Sequence, residues 1–519
     1  MKSVAFHNLG CKVNSYEMEV MQQIIQNSGY EIVQFTQKSD IYVVNTCTVT
    51  NIADRKSRQM LHRAKQMNPS AVVVAVGCYA QTGLEDLKKD LAVDIIIGNN
   101  HKTEIADILA EYFREHPDGP EPVEVKEADS EYAEDTHAAK EKTDGSRGKK
   151  LEVITDLSTP SAYEDAQVYA FSERTRADVK IQDGCNQFCS YCAIPLSRGR
   201  VRSRRPEAII EEIRTLVSNG HKEIVFTGIH ISSYGIDFDD EAWKDGKIAP
   251  SEHASLKDGT MMRDYHGMSK LMDLVEMIDR AEGLEGLERI RLGSLEPRII
   301  TEENVKRLIA IKRVCPHFHL SLQSGCDATL KRMNRHYTAA EYAEGVARLR
   351  RLYGEVGKSV AITTDVIVGF PGETEEEFES TRAYLEDLKL YEMHIFEYSR
   401  RKNTAADKLD NQQTPETKKK RSKVLLDMTA GHSKEYRETL KGKEVEVLFE
   451  EEKNGHILGY TEDYVRIAVP AESKKSSTEI AEAVLPAEMQ PDRVIGKVMR
   501  VKVEGFISDD VLFGKLIMN

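Results

Sequence analysis

The sequence predicts an α/β protein with three parts: an amino-terminal α/β domain, a partial (β/α)6 barrel and a small carboxy-terminal all-β barrel. In the first part, apolar strand patterns alternate with helical patterns, which is typical of a mostly parallel sheet. The second part repeats six such strand–helix units, and the third switches to short strands with two-residue alternation. The predicted divisions are 1–113 for the first part, 114–176 for a polar insertion and connector, 177–410 for the barrel, 411–440 for a helical linker and 441–519 for the all-β barrel.

The composition indicates a globular protein. Of the 519 residues, 40% are hydrophobic and 30% are charged. We find no signal-peptide pattern and no apolar run of membrane-spanning length, so we expect a cytoplasmic protein with no membrane partner. The net charge of −14 argues against a surface that binds nucleic acid everywhere, so any RNA contact needs a local basic patch.

The amino-terminal part alternates strands and helices in an order that can be followed along the chain. A capping-box spacing of Asn14 and Glu17 predicts that the first helix begins there. A helix from about residue 52 to residue 67 ends before Pro69. The predicted strands cover residues 4–7, 41–45, 71–76 and 94–97.

A cysteine lies just past three of these strands: Cys11, Cys47 and Cys78, called here the strand-end trio. Ligand sites in open α/β sheets lie outside the carboxyl ends of the strands, so the trio predicts a site with three thiolates. The alternative is that small cysteines merely pack near strand ends. Gly10, Thr46 and Gly77 precede the three cysteines and are expected to let the backbone approach closely.

A second group of cysteines has C-x3-C-x2-C spacing: Cys185, Cys189 and Cys192, called here the loop trio. Three thiolates on one short loop can ligate three irons of a 4Fe–4S cluster and leave the fourth iron open. The alternatives are a zinc site or incidental core cysteines. Zinc usually needs a second Cys/His pair at a fixed offset, and His230 and His253 show no such pairing.

The loops that follow the barrel strands are predicted to bind a cofactor, because active sites of β/α barrels lie there. Small residues let a cofactor contact the backbone, and Ser, Gln and Glu side chains can hydrogen-bond a ribose or an amino group. The candidate residues are Thr227, Gly228, Ser294, Glu296, Gln323 and Ser324.

Other segments have plainer predictions. Residues 235–268 are predicted to form a polar surface insertion, and Cys315 and Cys326 lack ligand spacing and are predicted to be structural. The carboxy-terminal barrel belongs to a class of folds that often binds single-stranded nucleic acid.

A basic run follows the loop trio directly and includes Arg198, Arg200 and Arg202. Such a run is usually just a solvated face. Beside a predicted active site and against a net charge of −14, it favours an anionic partner. We predict that these arginines contact RNA phosphates in a salt-sensitive way.

Three motifs carry a family resemblance: Asn8-Leu-Gly-Cys-Lys-Val-Asn14, Asn45-Thr-Cys-Thr-Val-Thr50 and Val76-Gly-Cys78. They resemble the amino-terminal domain of radical S-adenosylmethionine methylthiotransferases, and most closely its MtaB branch. The middle of the chain resembles the radical S-adenosylmethionine domain of that family, and the tail resembles its RNA-binding TRAM domain. The resemblance covers nearly the whole chain apart from the two polar insertions.

The resemblance implies two 4Fe–4S clusters, one in each cysteine trio. It implies that S-adenosylmethionine binds the open iron of the loop-trio cluster, and Tyr191 fits the family's preference for an aromatic residue before the last cysteine. The other cluster is implied to carry the sulfur.

The implied reaction adds a methylthio group to C2 of N6-threonylcarbamoyladenosine beside the tRNA anticodon. The implied partners are the tRNA anticodon loop and an electron donor of the flavodoxin or ferredoxin type, with no DNA. The alternatives are methylthiolation of isopentenyl-adenosine in tRNA or of a ribosomal-protein aspartate, and, in another class, a non-catalytic Fe–S RNA-binding protein.

Overall fold

The computed structural model describes residues 1–123, 150–157, 162–167, 175–239, 269–471 and 494–517. Most of both predicted polar insertions, and His253 with them, lies outside the described residues. The chain divides into two compact units. Unit 1 comprises Met1–Val168, Cys192–Arg200 and Ser399–Asn403, and unit 2 comprises Tyr169–Tyr191, Val201–Tyr398 and Thr404–Asn519.

Unit 1 is built on a parallel six-stranded sheet with the order β2-β1-β3-β4-β5-β6. The four predicted strands are confirmed. Two short strands, β2 and β6, were not predicted, because three residues are too few to show a pattern. The bounds are β1 Ser3–Asn8, β2 Glu31–Val33, β3 Ile41–Thr46, β4 Val72–Gly77, β5 Ile95–Ile97 and β6 Leu151–Val153.

The central strands β3, β4 and β5 are buried on both faces, which explains their continuous β-branched, apolar sequences. Alternate residues of these strands belong to two separate apolar clusters, for example Val43 and Val74 on one face and Tyr42 and Val73 on the other. The α-helices of unit 1 are Lys12–Asn27, Asn51–Met67, Cys78–Thr82, Leu84–Lys89, Ile105–Glu115 and Ile194–Arg198, with a 3-10 helix at Lys102–Glu104.

The predicted capping box is wrong. The first helix begins at Lys12 with Cys11 as its N-cap, so Asn14 and Glu17 lie inside the helix and are buried. Their side chains contact other residues instead of capping the helix. Asn14 Nδ2 donates to the carbonyl of Leu9 at 2.7 Å, and Glu17 forms buried ion pairs. The spacing of a capping box cannot reveal such long-range partners.

Unit 2 contains the predicted partial barrel, with six parallel strands that follow one another in chain order. One sheet has the order β10-β9-β7-β8 and the other β11-β12-β13. Isolated bridges from Ile290 to Val314 and from Leu295 to Leu320 join their edges. The strands are β7 Arg176–Asp183, the short antiparallel β8 Arg202–Ser203, β9 Glu223–Gly228, β10 Arg289–Leu292, β11 His317–His319, β12 Ala361–Val368 and β13 Glu392–Glu397.

The helices of unit 2 cover one side of these strands. Alternate strand residues, such as Val179, Phe226 and Ile362, are buried with helix residues in one apolar cluster. The strand residues between them face the opposite side, called here the inner face. The α-helices are Pro206–Ser218, Leu271–Arg280, Glu302–Ala310, Asp327–Arg332, Ala339–Glu355, Glu375–Leu388 and Pro415–Glu438, and 3-10 helices occur at Ile231–Ser233, Pro297–Ile299 and Ala406–Lys408.

The carboxy-terminal part of unit 2 is a closed five-stranded barrel, as the sequence predicted. The strands close in the order β14-β15-β16-β18-β17 around their own apolar core. Their bounds are β14 Glu444–Lys453, β15 His456–Thr461, β16 Arg466–Pro470, β17 Val498–Ser508 and β18 Val511–Leu516. Among the described residues, no helix is both long and apolar enough to cross a bilayer.

Candidate active site

The strand-end trio comes together in unit 1. Cys11, Cys47 and Cys78 directly follow or closely follow β1, β3 and β4, which are neighbours in the parallel sheet. Burial raises the pKa of the Cys47 thiol to about 11, and the nearby charges of Cys78 and Cys11 add to that increase. A shared metal centre would neutralise the repulsion that opposes ionisation of the Cys47 thiol.

Two glycines let the backbone approach this trio closely, as the sequence predicted. Gly10 has φ +117°, and a Cβ there would lie 3.2 Å from the Sγ of Cys47. Gly77 has φ +99°, and its Cβ would lie 2.6 Å from the Oδ1 of Asn45. Both positions need a left-handed backbone that favours glycine.

Arg198 anchors a buried polar network around Cys78. Its Nε donates to the Sγ of Cys78 at 3.3 Å, and its Nη1 donates to Oε1 of Glu17 at 2.8 Å. Its Nη2 donates to Oδ1 of Asn14 at 2.7 Å. Lys102 donates to the same Glu17 and to Oδ1 of Asn99 at 2.6 Å. Two buried cations thus face one carboxylate, which leaves a net positive charge beside the thiols.

This surrounding fits a cluster held by thiolates. A positive charge and N–H donors stabilise thiolate sulfur, and hydrogen bonds to the sulfurs tune Fe–S clusters. The Nδ2 of Asn99 also faces the Sγ of Cys78, at 3.7 Å, and donates to the carbonyl of Ser197 at 2.6 Å. The residues present in unit 1 therefore suit an Fe–S cluster.

The loop trio is divided between the units: Cys185 and Cys189 belong to unit 2, and Cys192 opens a segment of unit 1. In unit 2, the backbone N–H of Gln187 donates to the Sγ of Cys185 at 3.4 Å. Nη1 of Arg335 donates to the Sγ of Cys189 at 3.1 Å. These donors to sulfur fit thiolate ligands of a cluster, just as in unit 1.

The loop after β9, the first of the predicted cofactor loops, leaves little space around Thr227 and Gly228. Thr227 is buried at the end of β9, and a Cβ at Gly228 would lie 3.0 Å from the carbonyl oxygen of Gln182. The side-chain Oε1 of Gln182 accepts from the backbone N–H of His230 at 2.8 Å. Tyr191 packs edge-on against Phe370, with ring centroids 6.4 Å apart.

The other cofactor candidates differ in how accessible they are. Ser294 is exposed, whereas Glu296 is buried and accepts from Nε of Arg298 at 2.7 Å. Burial opposes ionisation of Glu296, but Arg298 and Arg335 outweigh burial and lower its pKa. Glu296 is therefore a buried carboxylate that stays ionised at neutral pH.

The loop after β11 carries the last two candidates. Gln323 has φ +71° and is almost fully buried. Ser324 is fully buried, and its hydroxyl lies 3.2 Å from that of Thr381 and accepts from the backbone N–H of Cys326 at 3.2 Å. The Ser324 side chain thus holds its own loop together, which does not fit the predicted cofactor contact.

Comparison with known proteins settles the family. The model of the uncharacterized protein family UPF0004 matches residues 3–98, and that of the Radical SAM superfamily matches residues 179–385. The threonylcarbamoyladenosine tRNA methylthiotransferase MtaB of Bacillus subtilis is 35% identical over 472 residues, which cover 90% of this chain and 90% of that protein. The chain belongs to the radical SAM methylthiotransferase family.

This methylthiotransferase is also similar to enzymes named for another nucleoside. The tRNA-2-methylthio-N(6)-dimethylallyladenosine synthase of Acetivibrio thermocellus is 31% identical over 455 residues, covering 86% of this chain and 81% of that protein. A solved radical S-adenosylmethionine methyltransferase, TsrM from Kitasatospora setae, is 14% identical with a TM-score of 0.46, and the match covers 76% of this chain and 73% of that one.

Two of the arginines predicted to bind RNA need correction in this methylthiotransferase. Arg198 is fully buried, and Arg202 is almost fully buried and lies 3.5 Å from Oδ2 of Asp183. The partners of Arg198 are protein groups, so a phosphate cannot reach it without displacing them. The sequence showed a basic run, but not which members turn inward. Arg200 is partly exposed, and its RNA contact stays a prediction.

Sequence reasoning missed several residues around the trios. Arg335 lies far from the loop trio in sequence, and only the fold brings it to Cys189. Lys102 and Glu17 are separated by 85 positions, and neither carried a sequence signal for this network. Their pairing depends on tertiary structure alone.

Proposed function

We propose that this methylthiotransferase adds a methylthio group to C2 of N6-threonylcarbamoyladenosine in tRNA, beside the anticodon. The observation that carries the proposal is the strand-end trio with its buried cationic network, a second thiolate site in addition to the loop trio. The substrate assignment rests on the relative from Bacillus subtilis, which is named as a threonylcarbamoyladenosine tRNA methylthiotransferase and matches 90% of each chain.

A radical SAM domain implies one 4Fe–4S cluster and S-adenosylmethionine. When bound, this pair supplies the reductive cleavage that activates an unreactive C–H bond such as C2–H of adenine. We propose that Cys185, Cys189 and Cys192 hold this cluster, and that Arg335 orients Cys189. We propose that the strand-end trio holds a second 4Fe–4S cluster that carries the sulfur.

The protein residues bind, orient and shield these groups. The candidate S-adenosylmethionine contacts are Tyr191, Thr227, Gly228, Ser294, Glu296 and Gln323, and the ionised Glu296 could accept from a cationic group. The required electron is proposed to come from a flavodoxin or ferredoxin. A tRNA substrate would place the enzyme in the cytoplasm.

Contact with the RNA is assigned to two regions. Arg200 lies next to the loop-trio segment, and exposed lysines such as Lys443 and Lys502 lie on the carboxy-terminal barrel. Lysines that contact phosphates release counterions, so tRNA affinity should fall as salt rises. The bound adenosine must be unstacked to expose C2, which suits an anticodon-loop nucleotide.

The test is anaerobic reconstitution of the enzyme with dithionite, S-adenosylmethionine and tRNA, followed by mass spectrometry of the nucleosides. We expect 2-methylthio-N6-threonylcarbamoyladenosine in the wild type. Cys189→Ala should abolish 5′-deoxyadenosine release, because the loop-trio cluster is lost. Cys47→Ala should release 5′-deoxyadenosine without forming methylthio product.

Cys326→Ala is the matched control, since this partly buried thiol is not a proposed ligand and should leave product formation intact. Methylthio product from Cys47→Ala would refute the role of the strand-end trio. Methylthiolation of isopentenyl-adenosine instead would reassign the substrate, and a protein that released no 5′-deoxyadenosine in any condition would be a binding module.

A further inference from the structure

We propose that unit 2 contains a divalent transition-metal site on its inner face, formed by His319, Asp365 and His394. One potential ligand atom from each residue lies within 4.8 Å of the others. The donor set contains no thiol, so this site is distinct from both cysteine trios. It depends neither on the proposed substrate nor on the sulfur-carrying cluster.

The strand register brings the three side chains together. His319 ends β11, Asp365 lies in the middle of β12, and His394 lies on β13. Asp365 and His394 are direct partners in the β12–β13 ladder. His319 is paired with Thr363, two residues before Asp365, so His319 and Asp365 are diagonal neighbours on one face.

All three residues lie on the inner face. Their strand neighbours Phe318, Val366 and Met393 belong to the apolar cluster packed against the helices. Side chains alternate along a strand, so His319, Asp365 and His394 face the other way. His319 and Asp365 are partly buried and His394 is exposed, so an ion could enter from solvent.

The orientation of His319 supports ligation. Its Nδ1 lies 3.0 Å from Oγ1 of Thr363, a contact that fixes the ring and, with the proton on Nδ1, leaves a lone pair on Nε2. Nε2 lies 3.2 Å from Oδ2 of Asp365. Despite this distance, Nε2 is buried and has no hydrogen-bond partner with acceptable geometry among the described residues. The two atoms are therefore close together without a hydrogen bond between them, which leaves Nε2 available to a metal ion.

His394 completes the set from the neighbouring strand. Its ring is stacked near that of His319, with centroids 5.6 Å apart and planes at 26°. Two neutral imidazoles and one carboxylate carry a single negative charge, which suits a divalent cation. The two imidazoles favour Zn²⁺ or Fe²⁺ over Mg²⁺ and Ca²⁺, and the carboxylate also suits Mn²⁺. Three protein ligands leave coordination positions open.

The test uses Mn²⁺ as the probe on enzyme with reconstituted clusters. Both thiolate trios are then occupied, and oxidised 4Fe–4S clusters give no paramagnetic resonance signal that would hide Mn²⁺. We expect one bound Mn²⁺ per chain, measured by the loss of the free-ion signal. We also expect ¹⁴N couplings from two imidazoles in pulsed spectra of the bound ion.

His394→Gln and Asp365→Asn should each weaken Mn²⁺ binding by at least about tenfold, and His394→Gln should remove one of the two ¹⁴N couplings. Thr363→Val should weaken it by about 10- to 100-fold, because His319 loses the group that orients it. His456→Gln, a histidine on the carboxy-terminal barrel, is the control and should bind as the wild type does.

His394 is exposed, so its variant should fold, and cluster content together with thermal unfolding verifies this. The proposal fails if wild-type enzyme binds no Mn²⁺ beyond background. It also fails if a folded His394→Gln enzyme binds Mn²⁺ as tightly as the control does, or if the bound ion shows no nitrogen couplings.

Discussion

Two glycines with a left-handed backbone differ in what surrounds them. Gly77, next to Cys78, has φ +99°, and an added Cβ would meet Oδ1 of Asn45 at 2.6 Å. Asn45 cannot move away easily, because it is fully buried and its Nδ2 donates to the carbonyl of Asn14 at 2.8 Å. Gly29 has φ +85°, but nothing lies within 4 Å of its added Cβ.

We therefore expect Gly77→Ala to be clearly more damaging than Gly29→Ala. Gly29→Ala should cost only the backbone strain, about 1–2 kcal/mol. Gly77→Ala should add a steric clash and displace Cys78, which lowers the iron bound by the strand-end trio. Thermal unfolding and iron content of the two variants measure this difference. Equal effects would show that the close approach at Gly77 has no role.

A partly buried histidine predicts how unit 2 responds to acid. Burial lowers the pKa of His230 to about 4, from an ordinary value of 6.5. Between these two values the unfolded chain binds a proton that the folded chain does not bind. Stability should therefore fall as pH decreases from 6.5 toward 4, by about 1.4 kcal/mol per pH unit, and should not depend on this group above pH 6.5.

His230→Gln removes this proton uptake. The variant loses a contact between Nδ1 and Oγ of Ser233 at 2.7 Å, so it should be less stable than the wild type at pH 7.5. Its melting temperature should nevertheless decrease less than that of the wild type when pH is lowered from 6.5 to 5.5. Parallel curves for the two proteins over this range would contradict the assignment.

At the scale of secondary-structure elements, the short helix Ile194–Arg198 supplies a charge to the strand-end trio. The planar guanidinium of Arg198 donates to Cys78, Glu17 and Asn14 at the same time. A lysine at this position keeps the charge, but its single ammonium group cannot reproduce the fixed planar arrangement of N–H donors of the guanidinium. The geometry of the helix, and not the charge alone, therefore positions the donor on Cys78.

We expect Arg198→Lys to lower iron retention by the strand-end trio several-fold, and Arg198→Gln to lower it further. Breaking a buried ion pair typically costs about 3–5 kcal/mol, although Lys102 still neutralises part of the Glu17 charge. The measurement is iron content and reduction potential in a background with all loop-trio cysteines replaced by Ala. Arg382→Gln, an exposed ion-pairing arginine, is the control and should leave both quantities unchanged.

The elements themselves were predictable where local pattern determines them. The buried strands β3 and β4 are rich in β-branched residues, which makes them recognisable as strands. Because the ends of parallel strands meet at one edge of a sheet, the sequence could predict that the three cysteines of the strand-end trio lie at that edge. Asn14 and Glu17 have a local spacing that imitates a helix start, but Arg198 and Leu9 decide where their side chains go. Local patterns contain no information about such distant partners.

The same limit applies to the candidate sites. Arg335 reaches Cys189 only through the loop that follows the helix Asp327–Arg332, so no spacing rule could find it. His317 and His319, by contrast, show the two-residue spacing of one strand face, and this signal could have drawn attention to the inner face. Pairing His319 with Asp365 and His394 required the register of three strands.

At the scale of the whole molecule, unit 2 joins two architectures through buried arginines. Arg289 on β10 donates to the carbonyls of Tyr460 and Glu446 in the carboxy-terminal barrel, at 2.8 and 3.0 Å. Arg291 donates to the carbonyl of Glu462 at 2.9 Å and to Oε1 of Glu223 at 2.7 Å. Arg289 and Arg291 thus bind backbone carbonyl groups of the small barrel.

Glu223 is the common counterion of this junction. Burial opposes its ionisation, but Arg291, Arg176 and Arg289 outweigh burial and lower its pKa. A carboxyl group with a lowered pKa stabilises the fold above its unfolded pKa of about 4.5, and this contribution is lost only as pH falls through the lower, folded value. The contribution of Glu223 to this junction should therefore be fully present at neutral pH.

We expect Arg291→Met to loosen the small barrel, because it leaves Glu223 with less compensation and removes the donor to Glu462. The single change should cost about 3–5 kcal/mol, and Arg291→Met combined with Glu223→Gln should cost less than the sum of the two single changes. The measurement is the hydrogen-exchange rate of β14 and β15, followed by mass spectrometry, which should increase when the small barrel loosens.

Arg466→Ala removes a partly exposed ion pair with Glu451 in the same small barrel and should leave that exchange almost unchanged. If Arg291→Met exchanges no faster than Arg466→Ala, the hydrogen bonds of Arg291 do not hold the junction. In that case Arg291 would serve only to neutralise the buried carboxylate of Glu223, and the orientation of the small barrel would not depend on it.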